Sequence, residues 1–263
     1  MVLRIVMADP AGNRTAIVRT PVPANARAAA AAGIMKIADL RAEQVGFETA
    51  PRRGGEGRLE MMGGEFCGNA ARSYGYLLCS ERPEKRTEAG IEISGHTGLL
   101  QVTCDPEEGM SFARMPMPER LERSMEGYPL VVSEGITHMI LEDLDPAPEL
   151  VRDLADRYGP VYDAFGMQFL RGDRLVPVVC VAAAGSMVYE SSCGSGSLAA
   201  AWYLLQKEKT GESRQAVLEF LFREPGGDIQ VRLVRDGEGG LTGYMGGKIR
   251  LEQEQELDLA LPL

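Results

Sequence analysis

Glu65-Phe66-Cys67-Gly68-Asn69-Ala70-Ala71-Arg72 and, in the second half of the chain, Ser191-Ser192-Cys193-Gly194-Ser195-Gly196 are two tight turns, each opening onto a run of helix-forming residues. Around the first, the pattern predicts a strand from Arg58 to Met62, a helix over about Ala70 to Cys79, strands Ile91 to Ser94 and Leu99 to Cys104, and a third strand after Gly109. Around the second it predicts strands near Met167 to Leu170 and Val176 to Ala182. A helix over about Ser197 to Lys209 follows, then strands Val217 to Phe222 and Ile229 to Val234 and another after Gly239-Gly240. Set over one another on the cysteines, the halves match Cys67-Gly68 with Cys193-Gly194, Tyr76 with Trp202 and Leu78 with Leu204. A turn–helix–hairpin unit therefore occurs twice. The expectation is an α+β fold of two pseudo-symmetric lobes, each a sheet wrapped around a central helix. The first spans residues 1–117 and the second 118–263, with the last strand free to return to the first lobe. Pro116, Pro118 and Pro129, set among polar residues, mark the junction.

Working outward, Arg4 to Arg19 reads as strand, turn and strand, with the turn at Asp9-Pro10-Ala11-Gly12-Asn13. The Ala-rich stretch from Asn25 to Leu40 favours a helix with Gly33 as its weak point. Leu130 to Ser133 and His138 to Glu142 flank a turn, and a helix is expected from Pro148 to Tyr158. The acidic run from Glu252 to Asp258 reads as a solvated strand face.

The chain has 263 residues, long enough to bury a substantial core, and 44% of them are hydrophobic, which excludes wholesale disorder. Twenty-eight Lys and Arg against 38 Asp and Glu give a formal charge of −10. That balance disfavours nucleic acid and anionic membranes as partners. No apolar run is long enough to span a bilayer, and MVLRIVMADP lacks the apolar stretch of a signal peptide, so a cytoplasmic location is expected. The five cysteines, Cys67, Cys79, Cys104, Cys180 and Cys193, include no CxxC pair. A disulfide framework is therefore not expected, and neither is zinc, since His96 and His138 do not stand at ligand spacing with a cysteine pair. Cys79, Cys104 and Cys180 lie in apolar patterns and read as core.

A cysteine placed just before a helix lies where unpaired backbone N–H groups and the helix dipole favour negative charge. Such a position lowers a thiol pKa, and the same N–H groups can hold a carboxylate. Gly68, Gly194 and Gly196 would let a ligand approach the backbone. Two such turns in a duplicated fold suit a reaction that removes a proton from one face of a carbon and returns one to the other. One sulfur would act as thiolate base and the other as thiol acid. Racemisation of an amino acid fits this with no cofactor, since nothing points to a Schiff-base lysine in a phosphate-binding context.

At these residues the chain resembles the diaminopimelate epimerase superfamily. Glu65-Phe66-Cys67-Gly68-Asn69-Ala70-Ala71-Arg72 is similar to its first catalytic motif and Cys193-Gly194-Ser195-Gly196 to its second. Gly12-Asn13 resembles its N-terminal substrate loop and Gly46-Phe47-Glu48 its Gly-Phe-Asp segment. Pro225-Gly226-Gly227-Asp228 and Leu241-Thr242-Gly243 resemble its closing strands. The resemblance implies two αβ lobes with the paired thiols between them, cofactor-independent two-base chemistry, and Cys67 and Cys193 as the catalytic pair. It also implies substrate contacts from Asn13, Gly68, Asn69, His138, Glu190, Gly194 and Ser195.

The departures concern the far end of the substrate. Arg58 stands where an epimerase has an asparagine, and Gly135-Ile136-Thr137-His138 replaces an amide with an apolar group. Asp163 replaces another asparagine, Thr49 a glutamine, and the arginine after Glu190 is absent. A distal carboxylate pocket without its partners is strongly disfavoured. The profile that remains is most similar to the cofactor-independent histidine racemases, which supply D-histidine for metallophores. Glu48 and Asp163 would then accept the N–H groups of an imidazole. The expected partner is a small-molecule amino acid, with no nucleic acid and no membrane, and the reading leaves room for a homodimer. Alternatives are a diaminopimelate epimerase, a proline or hydroxyproline racemase and, from another class, a non-catalytic amino-acid-binding or thiol-sensing protein.

Overall fold

A computed structural model describes residues 1–82, 87–182, 185–207 and 216–259. The chain forms two compact units, one of residues 1–114 and 246–263, the other of residues 115–245. Both are sheet-dominated, and the fold is a mixed α+β one.

In the first unit, Val2–Asp9 pairs antiparallel with Thr15–Val18. Helix α1, Ala24–Met35, then crosses over to Gln44–Thr49, which runs parallel to Thr15–Val18. Gly57–Met61 returns antiparallel. Helix α2, Gly68–Ser80, leads to Glu88–Ile93, parallel to Gly57–Met61, and an antiparallel meander continues through Leu100–Asp105 to Met110–Met115. Arg250–Leu251 and Gln255–Asp258 close the free side of Val2–Asp9. α2 packs on four of these strands. Its small residues explain how it can be buried nearly all round. A Cβ on Gly75 would lie 2.6 Å from the side chain of Val102, so the helix axis comes against the sheet there.

The second unit repeats this order. Pro129–Ser133 and Ile136–Glu142 form a hairpin, with Arg120–Arg123 added outside it. Helix α3, Pro148–Tyr158, crosses over to Ala164–Arg171, which is parallel to Ile136–Glu142. Pro148 occupies the first turn, where its missing N–H costs nothing, and Val151, Leu154 and Tyr158 face the core. Arg174–Val181 returns antiparallel and carries Ser186–Tyr189 at its side. Helix α4, Gly194–Lys207, follows, and then the hairpin Val217–Glu224 with Gly227–Arg235, and Leu241–Lys248. α4 packs on the hairpin around Ile136, on Ala164–Arg171 and on Gly227–Arg235.

Several expected boundaries move. α1 ends at Met35 rather than Leu40, because Ile37 turns extended and Ala38–Leu40 forms a separate 3-10 turn. α4 begins at Gly194 rather than Ser197. Ser197 N donates to Cys193 O at 2.9 Å, so Cys193 itself caps the helix despite the weak propensity of the two glycines. The expected end of that helix at residues 208–209 lies outside the described residues. The proline-marked stretch 116–130 contains the exposed strand Arg120–Arg123, and Gly46-Phe47-Glu48 lies within a strand.

Candidate active site

In the first unit, Cys67 is the N-cap of α2, with extended backbone dihedrals. Its Sγ accepts from Ala70 N at 3.4 Å, and its carbonyl accepts from Ala71 N at 2.9 Å. A sulfur seated on a helix N-terminal N–H is placed to carry negative charge. The loop before it is fixed from behind. Ser94 Oγ accepts from Met61 N and donates to Glu65 O, and Gly95, at φ +70°, lies so close to Phe66 N that a Cβ would fall 2.2 Å from it.

Asn13 is delivered by the Asp9–Asn13 turn. Ala11 and Gly12 both take positive φ there, and Gly12 N donates to Asp9 Oδ1 at 2.9 Å. Asn13 Oδ1 lies 4.0 Å from Cys67 Sγ, and accepts from Gln44 Nε2 at 2.7 Å and from Asn69 Nδ2 at 3.4 Å. Asn13 Nδ2 donates to Glu43 at 3.1 Å. Asn69 is in turn held by Arg72, whose Nε donates to Asn69 Oδ1 at 3.1 Å. Arg72 Nη1 also donates to the carbonyls of Gly247 and Lys248 at 3.2 Å. Asn13, Cys67, Gly68 and Asn69 are thus brought together. Glu43, Gln44 and Arg72 complete the network, a role that no motif in the sequence marks for them.

Glu48 does not join this group. Its Oε1 accepts from Tyr74 at 3.0 Å and its Oε2 from Arg19 at 2.9 Å, so both oxygens are held within the fold. Arg58 has a structural task as well. It bonds Glu60 at 2.7 Å and the buried Glu92 at 3.3 Å. Burial alone would raise the Glu92 pKa. The backbone N–H groups of Arg52, Arg53 and Gly55, with Arg58, outweigh burial and hold it at about 2.

In the second unit, Cys193 is buried at the start of α4. Glu224, buried on Val217–Glu224, accepts from Cys193 N at 2.6 Å and also from the Ser197 hydroxyl. Ser195 Oγ stands 3.6 Å from Cys193 Sγ and 3.0 Å from His138 Nε2. Gln168 Nε2 lies 3.1 Å from His138 Nδ1. Glu190 forms a hydrogen bond with the Cys193 thiol. Cys193, Gly194, Ser195, His138 and Glu190 therefore form one group. Gly194 has a packing reason of its own, since a Cβ there would fall 2.2 Å from the Met245 side chain.

Burial pushes the Cys193 thiol well up, and the charges of Glu190 and Glu224 push the same way. Cys193 is a neutral thiol at neutral pH. Burial lowers the pKa of His138 to about 3, so this ring stays neutral.

Asp163 is exposed. It lines a recess of about 250 Å³ with Ser133, Ile136, Thr137 and Tyr162, at the start of the parallel strand pair that carries His138. Cys79, Cys104 and Cys180 are buried, and all five cysteines are free. Among the described residues, no group of three or more His, Cys, Asp or Glu could hold a metal ion, and no helix is long and apolar enough to cross a membrane.

Residues 2–250 match the family model described as the histidine racemase CntK N-terminal domain. The chain belongs to the histidine racemase family. A histidine racemase of Fusobacterium nucleatum subsp. nucleatum is 37% identical over 187 residues, spanning 65% of this chain and 68% of that protein. A histidine racemase of Staphylococcus aureus strain Mu50 is 25% identical over 258 residues, 92% of each chain. Among solved structures, a hydroxyproline epimerase of Agrobacterium vitis with bound trans-4-hydroxy-L-proline superposes with a TM-score of 0.67. It is 12% identical and covers 99% of this chain and 94% of its own. A PhzF-family phenazine biosynthesis protein of Bacillus anthracis gives 0.69 at 15% identity, over 98% and 100%. At such identities these structures speak for the fold this family member shares with them.

Proposed function

We propose that this protein interconverts L- and D-histidine without pyridoxal phosphate, with Cys67 and Cys193 as its two proton-transfer groups. The observation that carries the reading is the family match over residues 2–250, within which each repeat seats one cysteine at the start of its central helix. In the proposed reaction a thiolate on Cys67 takes the α-proton. The Cys193 thiol gives its proton to the opposite face of the carbon, leaving a thiolate in its turn. The reverse reaction exchanges the roles. Backbone N–H groups at the helix starts hold the α-carboxylate and stabilise charge as the α-proton leaves.

Asn13, Gly68, Asn69, Gly194, Ser195 and Glu190 are assigned to the amino-acid end of the substrate. The recess at Asp163 is assigned to the imidazole, whose N–H the carboxylate would accept. Glu48, tied to Tyr74 and Arg19, is better placed to support the fold than to meet substrate. Chemistry that needs free thiols suits a reducing compartment, so a cytoplasmic location is proposed. D-Histidine would serve as a building block for a metallophore.

Purified protein with no added pyridoxal phosphate should abolish the circular dichroism of L-histidine and of D-histidine to the same final value. Diaminopimelate should be left unchanged. Turnover of diaminopimelate in preference to histidine would overturn the substrate assignment.

A further inference from the structure

Behind Cys193 lies a chain of polar groups that reaches into the core of the second unit. Ser195 Oγ is 3.6 Å from the sulfur, His138 Nε2 is 3.0 Å from Ser195 Oγ, and Gln168 Nε2 is 3.1 Å from His138 Nδ1. His138 and Gln168 are fully buried. Two glycines make room for them. A Cβ on Gly166 would lie 2.1 Å from His138 Nδ1, and one on Gly196 would lie 2.4 Å from the Gln168 amide. In the parallel strand pair, His138 is level with Gly166 and Ile140 with Gln168, which sets imidazole and amide side by side on the face toward α4. A buried glutamine is costly unless its hydrogen bonds are used. Here the amide nitrogen meets His138 Nδ1 while Oε1 has no partner among the described residues, so the contact to the imidazole is the bond this side chain is held for.

We propose that Gln168 is a positioning residue that fixes the tautomer of His138, so that Ser195 presents its hydroxyl proton to the sulfur of Cys193. A neutral imidazole has one donor and one acceptor nitrogen. With the Gln168 amide donating to Nδ1, the ring proton resides on Nε2 and points at Ser195 Oγ. That oxygen then accepts from the ring, and its own proton is free to turn toward the sulfur. His138 takes no proton itself, because burial keeps it neutral. The balance is simple. When Cys193 gives its proton to carbon, the S–H bond breaks, a C–H bond forms, and the new thiolate receives a hydrogen bond from Ser195, which keeps its proton. The opposite tautomer would hold the Ser195 proton on Nε2 and leave the thiolate without that donor. The kinetic part of this inference rests on the proposed role of Cys193; the tautomer does not.

The full chain has only two histidines, so a ¹⁵N-histidine-labelled sample gives two rings, told apart with His96→Gln. The His138 ring should carry its proton on Nε2, unchanged between about pH 5 and 8. Gln168→Met, similar in volume but with no amide, should lose this fixed pattern and lower kcat roughly 10–100-fold, the range for partners that orient a reacting group, with KM little changed. In a Ser195→Ala background the same substitution should cost almost nothing more, because the link is already cut. A wild-type ring protonated on Nδ1 overturns the proposal, as do full additivity of the two substitutions and an unaltered ring pattern in Gln168→Met. If Gln168→Met does not fold, the wild-type ring pattern decides alone. A wild-type protein that exchanges no α-proton overturns the functional reading and leaves the ring measurement intact.

Discussion

Replacing either Cys67 or Cys193 with serine is expected to lower kcat for histidine racemisation by roughly 10²- to 10⁴-fold, the contribution of a positioned acid or base. A serine hydroxyl is far too weak an acid to supply an alkoxide at neutral pH, and it is a poor proton donor to a carbanion. The substitutions are nearly isosteric. The N-cap geometry at Cys67 survives because a serine oxygen also accepts from the Ala70 N–H. Glu224 bonds the backbone N–H of Cys193, which the substitution leaves in place, so α4 keeps its cap as well. Melting temperatures should therefore stay close to that of the parent. Cys193→Ser keeps the Cys67 sulfur at its helix N–H and should still exchange the α-proton of one enantiomer without inverting it. Cys67→Ser keeps only the neutral Cys193 thiol and should exchange the other enantiomer only as pH rises. The two variants should choose opposite enantiomers. Polarimetry, with proton NMR in deuterated water, reads both effects. A serine variant that racemises at more than half the parental rate would contradict the two-thiol account.

Glu224→Ala is expected to be the most damaging change outside the cysteines. Removing the carboxylate leaves the buried N–H of Cys193 without its acceptor, while the Ser197 hydroxyl keeps the Cys193 carbonyl at 2.9 Å. The orphaned N–H costs about 1–3 kcal/mol. The melting temperature should fall by several degrees, at roughly 2–4 °C per kcal/mol for a chain of this size. Racemisation should fall with it, because the cap also fixes where Cys193 stands. Glu224→Gln separates packing from charge. Its amide oxygen still accepts from Cys193 N, so stability should change little. Burial is the first cause of the raised Cys193 thiol pKa, and the negative charges of Glu190 and Glu224 add to it. A negative neighbour favours the protonated thiol, so its removal makes the thiol more acidic. The loss of activity at high pH, where the Cys193 proton is gone, should therefore begin at lower pH in Glu224→Gln than in the parent. A basic limb that stays in place, or moves upward, would show that the Cys193 thiol does not govern it.

Glu224 also marks the limit of what the sequence discloses. The two cysteine turns are legible because each combines Cys-Gly with a run of small residues, and a helix packed closely on a sheet needs small residues. The order of elements around them is legible because alternation and turn residues repeat at similar spacing. Glu224 sits at the end of an ordinary-looking strand, 31 residues from the N–H it bonds, and only the strand's position beside the start of α4 gives it a task. Gln168 does leave a local trace, a polar residue among Phe165, Met167, Phe169 and Leu170. Its partner is set by the parallel register with Ile136–Glu142, which no local pattern specifies. Glu48 shows the opposite failure. The family motif points to a substrate ligand, yet the parallel pairing of Thr15–Val18 with Gln44–Thr49 and the burial of Tyr74 on α2 surround it with internal partners. Arg58 is legible as a departure from the epimerase pattern. Its reason, the ties to Glu60 and Glu92, depends on Gly57–Met61 lying parallel to Glu88–Ile93.

Proton transfer at the α-carbon of histidine is proposed to need only the protein's own groups. Its most direct measurement is proton NMR of L-histidine in deuterated water with purified protein and no added pyridoxal phosphate. Loss of the α-proton signal, deuterium at Cα and decay of optical activity to zero are expected, all abolished when both Cys67 and Cys193 are serine. Retention of the α-proton with histidine and with every other amino acid tried, diaminopimelate included, would contradict it.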